Sequence, residues 1–120
     1  MKARDANRLL ARQRHLPPDS EKELHAQIIC ECLRHDWYVV RSAFHKPSTT
    51  GAGVPDFIIA LPGARTLWVE CKVAKKKLSP EQESVGNWLT KDGHEFYTVR
   101  SLFEFIQAAK PKINKNWQIP

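Results

Sequence analysis

The chain contains two patterns of apolar and polar residues, one typical of helices and one typical of strands. Three stretches have the helical pattern: residues 20–34, 79–93 and 101–109. Each begins with a serine that can cap the first turn, and Gly93 and Pro111 end the second and third. Strand-like runs of β-branched and aromatic residues occupy residues 37–44, 56–61, 66–73 and 95–100. The predicted order is α-β-β-β-α-β-α, an α/β layer rather than a barrel or a bundle.

The first predicted helix carries two glutamates that differ in their position on the helical wheel. Its apolar stripe consists of Leu24, Ile28, Ile29, Cys32 and Leu33, and its polar side carries Gln27 and Glu31. Glu23 also falls on the polar side, where it is explained as the partner of Ser20 in a capping box. Glu21 falls inside the apolar stripe. It is therefore a carboxylate that points toward the core without a structural reason.

Two neighbouring strands bring acidic and basic side chains together. In the strand at 66–73, Leu67, Val69, Cys71 and Val73 share one face, and Trp68, Glu70 and Lys72 share the other. The turn signal Pro62-Gly63 folds the strand at 56–61 back onto this strand. Asp56 then lies opposite positions 70 to 71, within about one residue of register. Asp56 and Glu70 can therefore meet at one ion.

Two carboxylates and a lysine are the residue types that metal-dependent hydrolysis of a phosphodiester requires. Carboxylate oxygens bind a hard cation such as Mg²⁺, which also bridges to substrate phosphate. A lysine ammonium can orient or help deprotonate the attacking water and offset transition-state charge. Singly, Asp56 could cap a turn, and Glu70 and Lys72 could form a surface ion pair. Jointly the three residues favour a metal site, because a glutamate in the middle of a strand between Trp and Val is poorly placed for simple solvation.

The basic residues are distributed unevenly along this chain of net charge +6. Residues 1–15 hold five basic side chains and one acidic side chain, a lysine run occupies residues 75–77, and more lysines follow residue 109. Basic clusters around a balanced core indicate a polyanionic partner, although a lysine run is also common in solvated loops. The length predicts one domain at residues 20–109, with a basic N-terminal arm at 1–19 and a basic C-terminal tail at 110–120.

The cysteines and histidines exclude several classes of protein. Three cysteines without a Cys-x-x-Cys pair argue against a disulfide framework or a zinc ribbon, so a reducing compartment is expected. That compartment is the cytoplasm of a bacterium or phage-infected cell, or the nucleus of a eukaryote. No apolar run is long enough to span a bilayer. The histidines show no zinc-like pairing, and His25 and His35 are expected on the helix surface.

Five motifs together resemble the PD-(D/E)XK nuclease superfamily, and within it the VRR-NUC (virus-type replication-repair nuclease) domains. They are Ser20-Glu21-x-x-Leu24, Val40-Arg41-Ser42-Ala43, Gly53-Val54-Pro55-Asp56, Glu70-Cys71-Lys72 and Leu78-Ser79-Pro80-Glu81-Gln82. The Val-Arg-Ser-Ala stretch is also similar to archaeal-type Holliday junction resolvases. The resemblance covers about residues 20–107. It implies a restriction-endonuclease-like core, in which helices flank a mixed central sheet.

The resemblance also implies roles for individual residues. Asp56, Glu70 and the backbone carbonyl of Cys71 would bind Mg²⁺ or Mn²⁺, and Lys72 would position the attacking water. Glu21 would contact metal-bound water. Gln82 would lie near the metal or the scissile phosphate, although its spacing from Ser79 is also that of a capping box. The residues expected to contact DNA are Arg8, Arg12, Arg41, Lys46, Lys75, Lys76 and Lys77, and Arg41 could equally pair with a sheet neighbour.

The resulting hypothesis is a metal-dependent endonuclease that acts as a homodimer on branched DNA such as four-way junctions. A nuclease of other specificity (restriction-type, nicking, flap or single-strand) is one alternative, because the motifs indicate hydrolysis without specifying the substrate. The other is a nucleic-acid-binding module of the same fold that has no turnover. The intact set of aspartate, glutamate and lysine argues against this last alternative.

Overall fold

Helices and strands follow one another in the order that the sequence predicts. The structure, a computed structural model, describes residues 18, 20–42 and 52–111. The elements are α1 (Glu21–Arg34), β1 (Tyr38–Arg41), β2 (Phe57–Leu61), β3 (Arg65–Cys71), α2 (Pro80–Lys91), β4 (Glu95–Val99) and α3 (Leu102–Ala109). Most of the predicted arm and tail, with Arg8 and Arg12, lies outside the described residues, as does Lys46 in the segment between β1 and β2.

The four strands form one mixed sheet in the order β1-β2-β3-β4. β2 runs antiparallel to both of its neighbours, β1 and β3, and β4 runs parallel to β3. Phe57 pairs with Val69, so the preceding residue, Asp56, stands opposite Glu70. This confirms the predicted register. The turn between β2 and β3 contains Gly63 at φ +79°, a left-handed conformation that glycine adopts without steric cost.

The core lies between one face of the sheet and the helices α1 and α3. The sheet contributes Phe57, Ile59, Leu67, Val69 and Val99, α1 contributes Leu24, Ile28 and Cys32, and α3 contributes Leu102, Phe105 and Ala109. On the other face, α2 packs against β4, where Gly86 meets the ring of Phe96. A Cβ at Gly86 would stand 2.5 Å from that ring, so glycine allows the close approach. The architecture is the predicted α/β layer, a mixed sheet flanked by helices.

Arg65 fixes the end of α3 to the sheet. Its Nε and Nη2 donate to the two carboxylate oxygens of Glu95 at 2.9 and 2.8 Å. The remaining N–H groups donate to the carbonyls of Ala108, Ala109 and Lys110 at 3.3, 3.2 and 3.1 Å. These carbonyls have no partner within the last turn of a helix, so the guanidinium serves as a C-terminal cap. The cap lies at the end of the sheet away from Asp56.

The predicted orientation of α1 was partly wrong. Gln27 and Glu31 were predicted on the polar side, yet both are buried, whereas Leu33 is 65% exposed. The buried arc is centred on Leu24 and Ile28, and position 31 belongs to it. Glu31 can be buried because its carboxylate contacts Arg34 at 2.6 Å and His35 at 3.0 Å. The placement of Glu21 within the core-facing arc holds in either orientation.

β1 is shorter than predicted. Trp37 was expected to begin the strand, but its backbone N–H donates to the carbonyl of Cys32 at 2.9 Å and belongs to the turn that ends α1. Asp36 in that turn has φ +57°, so the chain reverses there before it can pair with β2. The strand ends at Arg41, and the predicted positions 43 and 44 lie outside the described residues.

Candidate active site

Asp56 is held at the entrance of β2 by hydrogen bonds from both neighbouring strands. The backbone N–H of Ser42, just after β1, donates to the backbone carbonyl of Asp56 at 2.8 Å. The backbone N–H of Cys71, at the end of β3, donates to Oδ2 of Asp56 at 2.8 Å. The aspartate therefore bridges β1 and β3, and its carboxylate is fixed beside Glu70.

Asp56 and Glu70 form a coupled carboxylate pair. Glu70 is only 2% exposed, and burial raises its pKa to about 8, a shift that the negative charge of Asp56 reinforces. Burial would also raise the pKa of Asp56, but contacts with His25, the N–H of Cys71 and Glu70 outweigh it and hold this pKa below its usual range. Below a pH of about 8 the pair therefore holds one proton when no cation lies between the two groups.

Lys72 and Glu21 act on the same pair through their charges. Lys72 follows Glu70 by two residues, one position past the end of β3, and its positive charge lowers the pKa of Glu70. The negative charge of Glu21, in the first turn of α1, raises the pKa of Glu70 and of Cys71. Both predicted residues are thus within electrostatic reach of the carboxylates. Their catalytic roles remain predictions.

Gln82 forms the capping box that its spacing predicted and also contacts Glu70, while its catalytic role remains a prediction. Its side-chain Oε1 accepts a hydrogen bond from the backbone N–H of Ser79 at 2.8 Å. Its backbone N–H donates to Oγ of Ser79 at 3.2 Å, and the two bonds form a capping box at the start of α2. Its side-chain Nε2 also donates to Oε1 of Glu70 at 3.0 Å. The helix start and the carboxylate pair are therefore joined by one amide.

Gly53 explains why the segment before Asp56 lies so close to α2. It has φ +83°, and a Cβ built there would stand 2.4 Å from the carbonyl oxygen of Glu81. Neither the backbone conformation nor the contact admits a side chain. This glycine lets the segment that leads to Asp56 pack on the first turn of α2, against the backbone of Glu81 and Gln82.

The donor groups of the pair fit a hard divalent cation. Asp56 and Glu70 offer carboxylate oxygens, the ligands that Mg²⁺ and Mn²⁺ bind. The thiol of Cys71 lies within 4.8 Å of donor atoms of His25 and Asp56, but its side chain is fully buried on the core face of β3, and burial raises its pKa. A protonated thiol is a poor ligand for a hard cation. The predicted ligation by the backbone carbonyl of Cys71 remains a prediction.

Of the residues predicted to contact DNA, the four that the structure describes are all exposed. Arg41 is exposed at the end of β1, and its charge lowers the pKa of Cys71. Within the described residues it makes no ion pair, so the alternative of a salt bridge to a sheet neighbour finds no support there. Lys75, Lys76 and Lys77 are exposed after β3. Arg100, which the sequence did not single out, donates to the carbonyl of Ala74 at 2.9 Å and fixes the start of this turn.

His25 is a site residue that the sequence reading placed wrongly. It was expected on the helix surface, but its side chain is only 14% exposed, and its Nε2 lies 3.4 Å from Oδ2 of Asp56. The ring packs edge-on against Phe57, with centroids 4.9 Å apart. A signal was present, since His25 follows Glu21 by four residues and therefore shares its helix face. His35, by contrast, is on the surface as predicted, with a side chain 42% exposed.

Comparison with known families agrees with this geometry. The family model for the VRR-NUC domain matches residues 4–102, which include every described residue of the site. Neither a curated protein nor a solved structure matches the chain at a significant level. The match extends over most of the chain, from the predicted arm to the start of α3. The chain therefore belongs to the VRR-NUC domain family and is a nuclease domain of the PD-(D/E)XK type.

Proposed function

We propose that the chain is a Mg²⁺- or Mn²⁺-dependent endodeoxyribonuclease that cleaves branched DNA. The main support for this proposal is the contact between the carboxylates of Asp56 and Glu70, because Glu70 is only 2% exposed. Burying two such groups side by side costs free energy unless a proton or a cation lies between them. In a nuclease domain the cation is the functional occupant, and the proton that the pair holds is released when it binds.

Each predicted catalytic residue then has a role in the reaction. Asp56 and Glu70, with the carbonyl of Cys71, hold the cation, which when bound supplies Lewis-acid polarisation of the phosphate and activation of water. Lys72 orients that water and offsets the charge of the transition state. Glu21 accepts a hydrogen bond from a water molecule at the site. Gln82 fixes the carboxylate of Glu70 by its 3.0 Å hydrogen bond.

The substrate and the assembly are inferred from charge and symmetry. Arg41, Lys46 and the lysines at 75–77, together with Arg8 and Arg12 in the arm, would bind the DNA backbone without reading its sequence. One such site cuts one strand, so a symmetric pair of chains presents two sites to the two strands of a four-way junction. β1 and α2 expose Tyr38 (73%), Val40 (41%) and Trp88 (68%), apolar surface that a second copy would cover.

The cellular setting follows from the chemistry of the substrate and of the thiols. The free cysteines at positions 30, 32 and 71 suit a reducing compartment that contains DNA. This is the cytoplasm of a bacterium or of a phage-infected cell, or a eukaryotic nucleus. Of the described helices, not one combines the length and apolar character that crossing a membrane requires.

The experiment that tests the proposal is a cleavage assay on a four-way junction, a flap, a linear duplex and a single strand, with Mg²⁺, Mn²⁺ or EDTA. We expect paired nicks in the junction with either metal and none with EDTA. Asp56→Asn and Lys72→Met should each abolish cleavage while junction binding persists, and Lys91→Met, an exposed lysine at the end of α2, is the matched control that should retain both. Equal cleavage of junction and duplex would reject the preference for branched DNA. Junction binding without cleavage under any condition would favour the non-catalytic module.

A further inference from the structure

The imidazole of His25 is buried without the partners that buried polar groups normally have. Nδ1 and Nε2 are both shielded from solvent, and among the residues that the structure describes neither has a hydrogen-bond partner. Most buried polar side-chain atoms in native proteins are hydrogen-bonded, so an exception indicates a missing ion or water, or a functional role. The packing of the ring against Phe57 holds it in place. His25 is thus a fixed, unsatisfied nitrogen donor beside the nuclease centre.

The spacing of His25 and Asp56 fits two ligands of one ion better than a hydrogen bond. Nε2 and Oδ2 are 3.4 Å apart, and Nε2 does not meet the geometry of a hydrogen bond to any atom. Nitrogen and oxygen ligands bind Zn²⁺ at about 2.0–2.2 Å, so two of them on a tetrahedral ion stand about 3.4 Å apart. Oδ2 already accepts the N–H of Cys71, which leaves a second lone pair for a cation.

We propose that His25 is a ligand of the divalent cation held by Asp56, and that the site therefore prefers transition-metal dications such as Mn²⁺, Co²⁺ or Zn²⁺ to Mg²⁺. The proposal rests on the proposed function, because it concerns the same cation. Imidazole nitrogen suits transition metals, whereas Mg²⁺ is bound by oxygen ligands and water. Glu21 lies one turn before His25 on the same helix, so both side chains lie on the same face of α1.

The alternative is that His25 only positions Asp56 by donating its N–H to Oδ2. These two roles predict different metal selectivity. Loss of a nitrogen ligand weakens transition-metal binding selectively, whereas a misplaced Asp56 weakens the binding of all cations alike. Absolute preference is not diagnostic, because oxygen-only sites also bind later transition metals more tightly than Mn²⁺. The informative quantity is the change in the ratio of Co²⁺ to Mg²⁺ affinity when His25 is replaced.

The test is titration of the full chain with Co²⁺, Mn²⁺ and Mg²⁺ by calorimetry, with His25→Gln as the variant and His35→Gln as the matched control on the surface of α1. We expect His25→Gln to weaken Co²⁺ and Mn²⁺ binding by about 10-fold or more and Mg²⁺ binding by less than about 2-fold. His35→Gln should change none of the three affinities. Unchanged Co²⁺ affinity in His25→Gln, or an equal loss for all three metals, would overturn the assignment.

A second measurement does not depend on the folding of any variant. Pulsed paramagnetic resonance of the wild-type chain loaded with one Mn²⁺ should show hyperfine coupling to an imidazole nitrogen, and a spectrum without nitrogen coupling would overturn the proposal. Two outcomes with the wild-type chain separate this inference from the nuclease proposal. If the wild-type chain binds Co²⁺ through His25 and Asp56 but cleaves no DNA, the nuclease proposal fails and the ligand assignment stands. If the wild-type chain cleaves DNA and the Mn²⁺ spectrum lacks nitrogen coupling, the nuclease proposal stands and the assignment of His25 as a ligand fails.

Discussion

The side-chain amide of Gln82 donates a 3.0 Å hydrogen bond to Oε1 of Glu70, while its carbonyl oxygen caps the N–H of Ser79 at 2.8 Å. One side chain therefore joins the first turn of α2 to the buried carboxylate of β3. Glu70 in turn contacts Asp56, so the orientation of the carboxylate pair depends on where α2 begins. Substitutions at Gln82 can separate the capping function from the function at Glu70.

Gln82→Glu should lower activity while the fold persists. A glutamate can still accept the N–H of Ser79 in the capping box, but it cannot donate to Glu70 and adds a negative charge beside it. We expect kcat/KM for cleavage to fall by about 10-fold or more, the usual effect of removing a partner of a metal ligand. Ser79→Ala is the control. It should cost about 1 kcal/mol of stability and leave cleavage nearly unchanged below the unfolding temperature.

The order of the elements and the neighbourhood of Asp56 and Glu70 could be predicted because both depend on local rules. Serine caps, a turn signal at Pro62-Gly63 and the two-residue period of strands fix which residues face each other. The register that places Asp56 opposite Glu70 follows from them. The capping box of Gln82 could also be predicted from its spacing from Ser79, whereas a role near the metal remains a prediction.

The positions that were wrong depend on tertiary contacts that no local pattern contains. Glu31 looked solvated, yet its ion pairs with Arg34 and His35 allow burial. His25 was predicted on the helix surface because the histidines of the chain show no zinc-like pairing. Its burial is decided by the edge of Phe57 and by Asp56, which lie on other elements. The contacts of Arg65 could not be predicted from the sequence, because its hydrogen-bond acceptors lie on β4 and at the end of α3.

Glu21 and Glu23 should respond differently to the loss of charge. Glu21→Gln removes a charge that acts on Glu70, so we expect cleavage to fall sharply with little change in thermal stability. Glu23→Gln should retain activity. The backbone N–H of position 23 donates to Oγ of Ser20 at 3.1 Å and is retained in the variant, and glutamine can replace glutamate in a capping box. Steady-state cleavage and thermal unfolding of both variants test this, and an inactive Glu23→Gln would reverse the assignment.

The stability of the metal-free chain should fall as pH rises between about 4.5 and 8. Burial and the charge of Asp56 raise the pKa of Glu70 from 4.5 to about 8, so the folded state holds a proton that the unfolded state releases. The stability that protonated Glu70 contributes is fully present below its unfolded-state pKa of 4.5 and is lost progressively as the pH rises to its folded-state pKa of about 8. The lowered pKa of Asp56 acts at lower pH and in the opposite direction. The measurement is thermal unfolding in EDTA across this pH range.

Two comparisons assign that pH dependence to Glu70. Glu70→Gln should remove most of the slope, because an amide does not titrate, whereas Glu81→Gln on the exposed side of α2 should retain it. Saturating Mg²⁺ or Mn²⁺ should raise the unfolding temperature most at the alkaline end, since the cation replaces the proton between the carboxylates. A metal-independent slope that persists in Glu70→Gln would contradict the shared proton.

Gly53→Ala should destabilise the chain far more than Gly63→Ala, although both glycines have positive φ, at +83° and +79°. The left-handed backbone costs an alanine about 1 kcal/mol at either position. At Gly63 a Cβ meets nothing within 4 Å, so that cost is the whole effect. At Gly53 the Cβ would stand 2.4 Å from the carbonyl oxygen of Glu81, and the segment leading to Asp56 must move away from α2. Displacing this segment also separates Asp56 from Glu70. Metal affinity should therefore fall together with stability in Gly53→Ala. In Gly63→Ala it should remain at the wild-type value. Thermal unfolding and Mn²⁺ titration of the two variants measure both effects, and equal behaviour of the two would show that α2 does not hold the Asp56 segment in place.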